Sequence, residues 1–307
     1  MRLQRQVKAT LTPVNLDAGD TLALTLRDGR VWEMTLLHTA AEILARTTMG
    51  GAARDPSAQN GEIAAYAFSC ELRVNGRAVT CRREVGTQAS FYEPPCVDGV
   101  RLWFDAAACA FQSAGGFIGE KDWPHGWICR PARQARFAVQ EADLSICPEA
   151  IRPWYPQAVG PLDIRDCYNG EDCWMGPYSG GAAHCGLDIN MPAGTILSAP
   201  ISFDDHYLFN ATAAGYGNNR WRGTRHWPDG SEWWLQSHHQ IAMLVPEHTP
   251  LPAGTPYATG AGVAVGAHEH SHFMFRVIEQ GGDYLLDPWM LFREMASSRA
   301  AGGAQRP

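Results

Sequence analysis

The strongest constraint on this chain's fold is a dipeptide. Residues 70–81 read CELRVNGRAVTC, with Asn75-Gly76 at the centre. Asn-Gly closes a two-residue β-hairpin because both central residues of the favoured turn need positive φ, which Asn and Gly tolerate. Val74 then faces Arg77, and every facing pair sums to 151. Cys70 and Cys81 meet that sum and stand opposite each other. At a hydrogen-bonded pair their Cα atoms lie ~5.5 Å apart, inside the disulfide range although harder to close there. TLALTLRDGRVWEMTLL reads as two alternating strands about an Asp28-Gly29 turn.

Further strand candidates follow: GEIAAYAFSCELRV, GVRLWFDAAACAF and RQARFAVQEADLSI. AAEILA (40–45) reads as one short helical turn. Residues 1–152 are therefore expected to be a β-rich domain, in which His38 and His125 stand alone and suggest no chemistry. Residues 153–175 are expected to be a linker and polar loop, because 147–164 carries four prolines. Cys167 and Cys173 bracket YNGED and are candidates to staple it. Residues 176–297 are expected to be a second domain, and 298–307, ending AGGAQRP, a flexible tail.

Bulk properties narrow the function. A 45% hydrophobic content supports packed cores. The net charge of −7, with no basic block, argues against a nucleic-acid surface. No apolar run approaches the ~20 residues of a membrane span, and no apolar segment of a signal peptide follows the N-terminal basic residues. The nine cysteines and the Cys70–Cys81 register favour an oxidising compartment, so the protein is expected outside the cytoplasm, its leader not visible in this chain.

Nine of the eleven histidines lie after residue 180. In GAHEHSHFMFRV, Phe273, Phe275 and Val277 alternate with Met274 and Arg276, so the segment is a strand. His268, His270 and His272 then share a face. In HCGLDINMPAGT, His184 and Asp188 share a face if the segment is extended, and Gly186 permits close backbone approach. Two imidazoles and one carboxylate make a three-ligand zinc site with an open fourth position. An ion held that way lowers the pKa of bound water to about 7 and polarises a carbonyl. His270 is a further imidazole beside it, suited to proton transfer.

From about Gly176 to Phe292 the chain resembles the lysostaphin-like (LytM-type) zinc metallopeptidases, which cleave peptide cross-links of bacterial cell walls. HCGLDINMPAGTILSAP is similar to the first metal motif of that family. GYGNNRWRGTRHWPDGSEWWLQSHH is similar to its central hairpin, which ends in a catalytic His, and HSHFMFRV to its H-x-H motif. LPAGTPYATGAG and DYLLDPWMLF match the turns and the closing segment, in the right order. The resemblance implies one zinc ion held by His184, Asp188 and His272, with His270 catalytic. Either His238 or His239 would be the second catalytic His, and strand alternation would allow only one of them to face the metal. Two residues depart from the family pattern: Ser271 stands where Leu is usual, and Met274 where an acidic residue is common. The implied fold is mainly β, an N-terminal β-rich domain followed by a compact antiparallel β-sheet metallopeptidase domain. The implied function is a zinc endopeptidase acting on peptidoglycan peptide.

Three other readings compete. A cupin-type metal site expects Glu about four residues past the second His, where Arg276 stands. GAGVAVG precedes a strand rather than a helix, which argues against a phosphate loop. An inactive metallopeptidase-like module binding cell-wall peptide or glycan keeps the fold without the chemistry. Trp221, Trp227, Trp233 and Trp234 are either core or the wall of a groove.

Overall fold

A computed structural model describes residues 1–48, 62–108, 131–156, 161–167, 177–178, 182–209, 219–265, 268–279 and 281–303. The fold is mainly β and largely antiparallel. His125 and Cys173 lie outside the described residues. Two compact units form. The first holds Met1–Thr48, Ser57–Pro148 and Met175–Cys185, the second Glu149–Trp174 and Gly186–Pro307.

In the first unit the Asn75-Gly76 dipeptide acts as the sequence dictates. Asn75 and Gly76 both take positive φ, 46° and 82°. They join β5 (Glu62–Val74) to β6 (Arg77–Val85), with Val74 opposite Arg77 and Cys70 opposite Cys81. The two thiols hydrogen-bond each other and are not joined. β3 (Thr21–Thr25) and β4 (Val31–Thr48) form the other hairpin, and β1 (Arg2–Gln6) runs parallel to β3. The five-stranded order is β1-β3-β4-β5-β6. AAEILA is not a helical turn. It lies inside β4, where Ala40, Ala41 and Glu42 pair with Ser69, Phe68 and Ala67 of β5. A long partner strand offers every backbone group a ladder bond, and this overrides the local helix preference of Ala, Glu and Leu. A four-stranded sheet holds β2 (Thr12–Leu16), β7 (Cys96–Val97), β8 (Val100–Ala107) and β9 (Ala135–Glu141) in the order β2-β9-β8-β7. Every residue of β9 is buried, so even Arg136 is internal, its charge paired to the buried Asp105 at 2.6 Å. The short strands β10 (Pro177–Tyr178) and β11 (Ala182–Ala183) pair with each other.

The second unit is organised on β20 (His268–Glu279). Its seven-stranded sheet has the path β12 (Leu187–Asn190), β20, β16 (Glu232–Gln240), β15 (Asn219–His226), β14 (Asp205–Phe209). β19 (Val263–Val265) and β21 (Gly282–Leu286) also pair with β20. β13 (Ile196–Ser198), β18 (Pro256–Thr259) and β17 (Ala242–Met243) make a smaller sheet. Along β20 the apolar Phe273, Phe275 and Val277 are fully buried on one face. A helix, α1 (Trp289–Gly303), closes the unit with Trp289, Met290, Leu291, Phe292 and Met295 buried. Asp287 caps it by accepting from the Trp289 N–H at 2.8 Å, with Pro288 between them.

The proline-rich segment expected to be a linker is packed. Trp154 is fully buried against Phe273 and Phe292, and its indole N–H donates to Tyr257 Oη at 2.8 Å. The backbone N–H groups of Arg152 and Ser198 bond to Pro200 and Trp154. Four prolines stiffen the backbone without keeping it from burying an aromatic ring.

Candidate metal centre

The site is assembled by the pairing of β12 with β20. That register sets Asp188 opposite His272 and Asn190 opposite His270. Facing residues of paired strands share a face, so Asp188, His270 and His272 point the same way. His272 Nδ1 lies 2.6 Å from Asp188 Oδ1, and His270 Nε2 lies 3.7 Å from Asp188 Oδ2.

His184 arrives by a different route from strand parity. Residues 184–186 are not in a strand; the chain bends at Gly186, and β12 begins only at Leu187. The bend brings His184 to the same place. One donor atom from each of His184, Asp188 and His272 lies within 4.8 Å of the others, and all three residues are buried. Gly186 is required by this approach. A Cβ there would lie 2.3 Å from His272 Cε1 and 2.5 Å from the Phe273 carbonyl oxygen, closer than real contacts allow.

The choice between His238 and His239 dissolves. Both Asn219 and Arg220 of β15 keep partners on β16, but these are Gln240 and His238, so His239 is an extra residue. It is a β-bulge, and His239 takes φ of 67°. A residue in the left-handed region breaks the alternation that would have sent the two side chains to opposite faces. The His238 ring stacks on His272 at 4.5 Å, and the His239 ring meets His270 edge-on at 4.7 Å. Five imidazoles therefore surround one carboxylate.

Burial, and then the nearby His270, push the His239 pKa down to about 3, so its ring is neutral. His239 Nδ1 is buried without a hydrogen-bond partner. The donor set, His-Asp-His with a further unpartnered imidazole nitrogen close by, fits a zinc ion. Tetrahedral bonds of ~2.0–2.1 Å set neighbouring donors ~3.3 Å apart, within the range spanned here.

The departures Ser271 and Met274 leave this donor set intact. Ser271 belongs to the opposite face, where its hydroxyl accepts from the Ala261 N–H at 3.0 Å. Met274 is buried one row along from His272. His206 stands outside the site, fully buried, with its Nδ1 accepting from the Trp221 indole N–H at 3.2 Å. Trp221, Trp227 and Trp233 are core residues. Trp234 is half-buried, with the guanidinium groups of Arg222 and Arg276 at 4.0 and 4.4 Å from its ring. Arg220, Arg222 and Gln236 went unnoticed in the sequence, although the alternation in NRWRGTRH places the two arginines on one face.

No protein-family model matches the chain, and neither does any curated protein. Solved structures do. The peptidase lysostaphin from Staphylococcus simulans aligns at 23% identity over 42% of this chain and 50% of that one, with a TM-score of 0.31. The catalytic domain of the prophage-encoded M23 protein EnpA from Enterococcus faecalis, a point mutant, aligns at 17% identity over 35% of this chain and 78% of that one, TM-score 0.26. A zinc-containing peptidase from Vibrio cholerae aligns at 10% identity over 89% of this chain and 83% of that one, TM-score 0.26. This chain thus spans half the length of lysostaphin.

Proposed function

We propose that the protein is a zinc-dependent endopeptidase that acts outside the cytoplasm on the peptide cross-links of peptidoglycan. The observation that carries this is the convergence of His184, Asp188 and His272 donor atoms within 4.8 Å of one another, ringed by three more imidazoles.

His184, Asp188 and His272 are the residues to hold the ion. When bound, zinc supplies an acidified water and a polarised carbonyl. His270 sits against Asp188, placed to take or return a proton at Nε2. His238 and His239 present N–H or lone pair to the same space; His238 is buried and His239 half-buried, which limits the bulk water that would weaken charge stabilisation at a developing oxyanion. His239, neutral through burial, is the better hydrogen-bond acceptor of a substrate N–H; once protonated it would be costly to keep there.

The test pairs metal analysis with cleavage of purified peptidoglycan followed by mass spectrometry. His184→Ala, Asp188→Ala and His272→Ala each lose the metal. His270→Ala keeps it and loses rate by ~10²- to 10⁴-fold. Wild type that carries zinc but opens no peptide bond in any cell-wall preparation replaces this reading with that of a binding module. Wild type that takes up no metal removes the site.

A further inference from the structure

Two guanidinium groups on the face that carries the metal centre make no ion pair among the described residues. β15 sets Arg220 opposite His238 on one side and Phe209 on the other; it sets Arg222 opposite Gln236 and Tyr207. Pairing residues share a face, so both arginines stand on the side of the sheet where His238 stacks on His272. The other two described arginines of this sheet are satisfied: Arg225 pairs with Asp204, and Arg276 pairs with Asp283. Arg220 and Arg222 contact no carboxylate among the described residues.

Arg222 is held in place by other means. The Arg222 plane is clasped between Trp234 at 4.0 Å and Phe209 at 4.7 Å. Its Nη1 donates to Tyr207 Oη at 3.0 Å. With the Gln236 amide turned so that its oxygen faces the arginine, Nε and Nη2 donate to that oxygen at 3.2 Å each. The amide nitrogen then faces His238 Nε2, 3.4 Å away. Arg220 has a buried Nε with no partner. Both side chains are half-buried. Removing a fixed charge from water without a counter-ion is costly, and a guanidinium stays protonated throughout. In a chain of net charge −7, these two are paired with no carboxylate of the described residues.

We propose that Arg220 and Arg222 form a carboxylate-recognition subsite next to the metal centre, so that the substrate is an acidic peptide. This rests on the peptidase reading above. The planar guanidinium fork matches a carboxylate bidentately, and the aromatic clasp fixes the plane of Arg222 before binding. β15 lies two strands from β20, which is about 10 Å at ~4.8 Å per strand spacing, or about three residues of extended peptide. The recognised carboxylate therefore lies within about three residues of the bond brought to the metal. A cross-link of glycines alone has no group for this subsite.

The experiment uses the full chain and two forms of one soluble cross-linked cell-wall peptide, with its carboxylates free or converted to carboxamides. Binding is measured by titration on a His270→Ala background, which suppresses turnover, and cleavage is measured on wild type. The free-carboxylate form binds at least about tenfold more tightly, as a charge-assisted pair warrants, and added salt narrows the gap. Arg220→Gln and Arg222→Gln each reduce the preference, and Arg222→Lys retains part of it. Because Arg222 is packed between rings, Arg220→Gln supplies the test if Arg222→Gln fails to fold. Equal affinity for the two forms, or a preference that survives both substitutions, overturns the subsite. A charge preference in binding with no hydrolysis of either form by zinc-loaded wild type upholds the subsite and removes the peptidase reading instead.

Discussion

At the scale of single residues, Gly186 and His239 do the most with the least. Gly186 has no side chain because the His272 ring occupies the space where one would begin. Gly186→Ala pushes either the ring or the β20 backbone away, since the obstructing atoms include the Phe273 carbonyl oxygen. The expected outcome is a folded protein with zinc affinity lowered by about 10-fold or more, the scale on which disturbed ligand orientation is felt. Competition with a chromophoric chelator measures it, and unchanged affinity would show that the ring relocates freely. His239 was legible as a candidate but not as a partner of His238. Strand periodicity treats neighbours as opposites, and only a residue at φ of 67° makes them neighbours on one face.

At the scale of elements, the bulge at the end of β16 rests on a buried polar chain. The Trp154 indole N–H and Ser237 Oγ both bond to Tyr257 Oη. Gln240 Nε2 donates to Ser237 Oγ at 2.7 Å and to the His238 carbonyl oxygen at 3.3 Å. Tyr257 is fully buried, and this holds its pKa above the ordinary phenol range. Tyr257→Phe deletes one oxygen and strips a partner from two buried groups. Stability falls by about 1–3 kcal/mol in urea unfolding of the full chain, with a cleavage rate that falls further than the stability loss explains. A loss of stability with unaltered rate would separate the network from the bulge. On β4 the outcome ran against local propensity. AAEILA is helical only for a chain read four residues at a time, and its pairing with β5 involves residues twenty or more positions away.

At the scale of the whole molecule, the second unit takes part of its core from the proline-rich stretch. A fragment beginning at residue 160 lacks Trp154 and Tyr155, which pack on Phe273 and Phe292. Losing a buried Trp alone is worth about 3–5 kcal/mol. A fragment beginning at residue 149 is expected to melt at a clearly higher temperature than one beginning at 160, as calorimetry would record. Equal midpoints would mean that the aromatic cluster adds nothing to the unit. The hairpins at Asp28-Gly29 and Asn75-Gly76, the strand from His268 to Glu279 and the shared face of His270 and His272 could all be read from the chain, because each depends on residues within one turn or one strand. Strand order, the bend that delivers His184, the bulge that admits His239 and the absence, among the described residues, of a carboxylate against Arg220 and Arg222 could not. Each depends on which strands meet and in what register, and that is decided by burying apolar faces contributed from distant parts of the chain, where no local pattern carries the information.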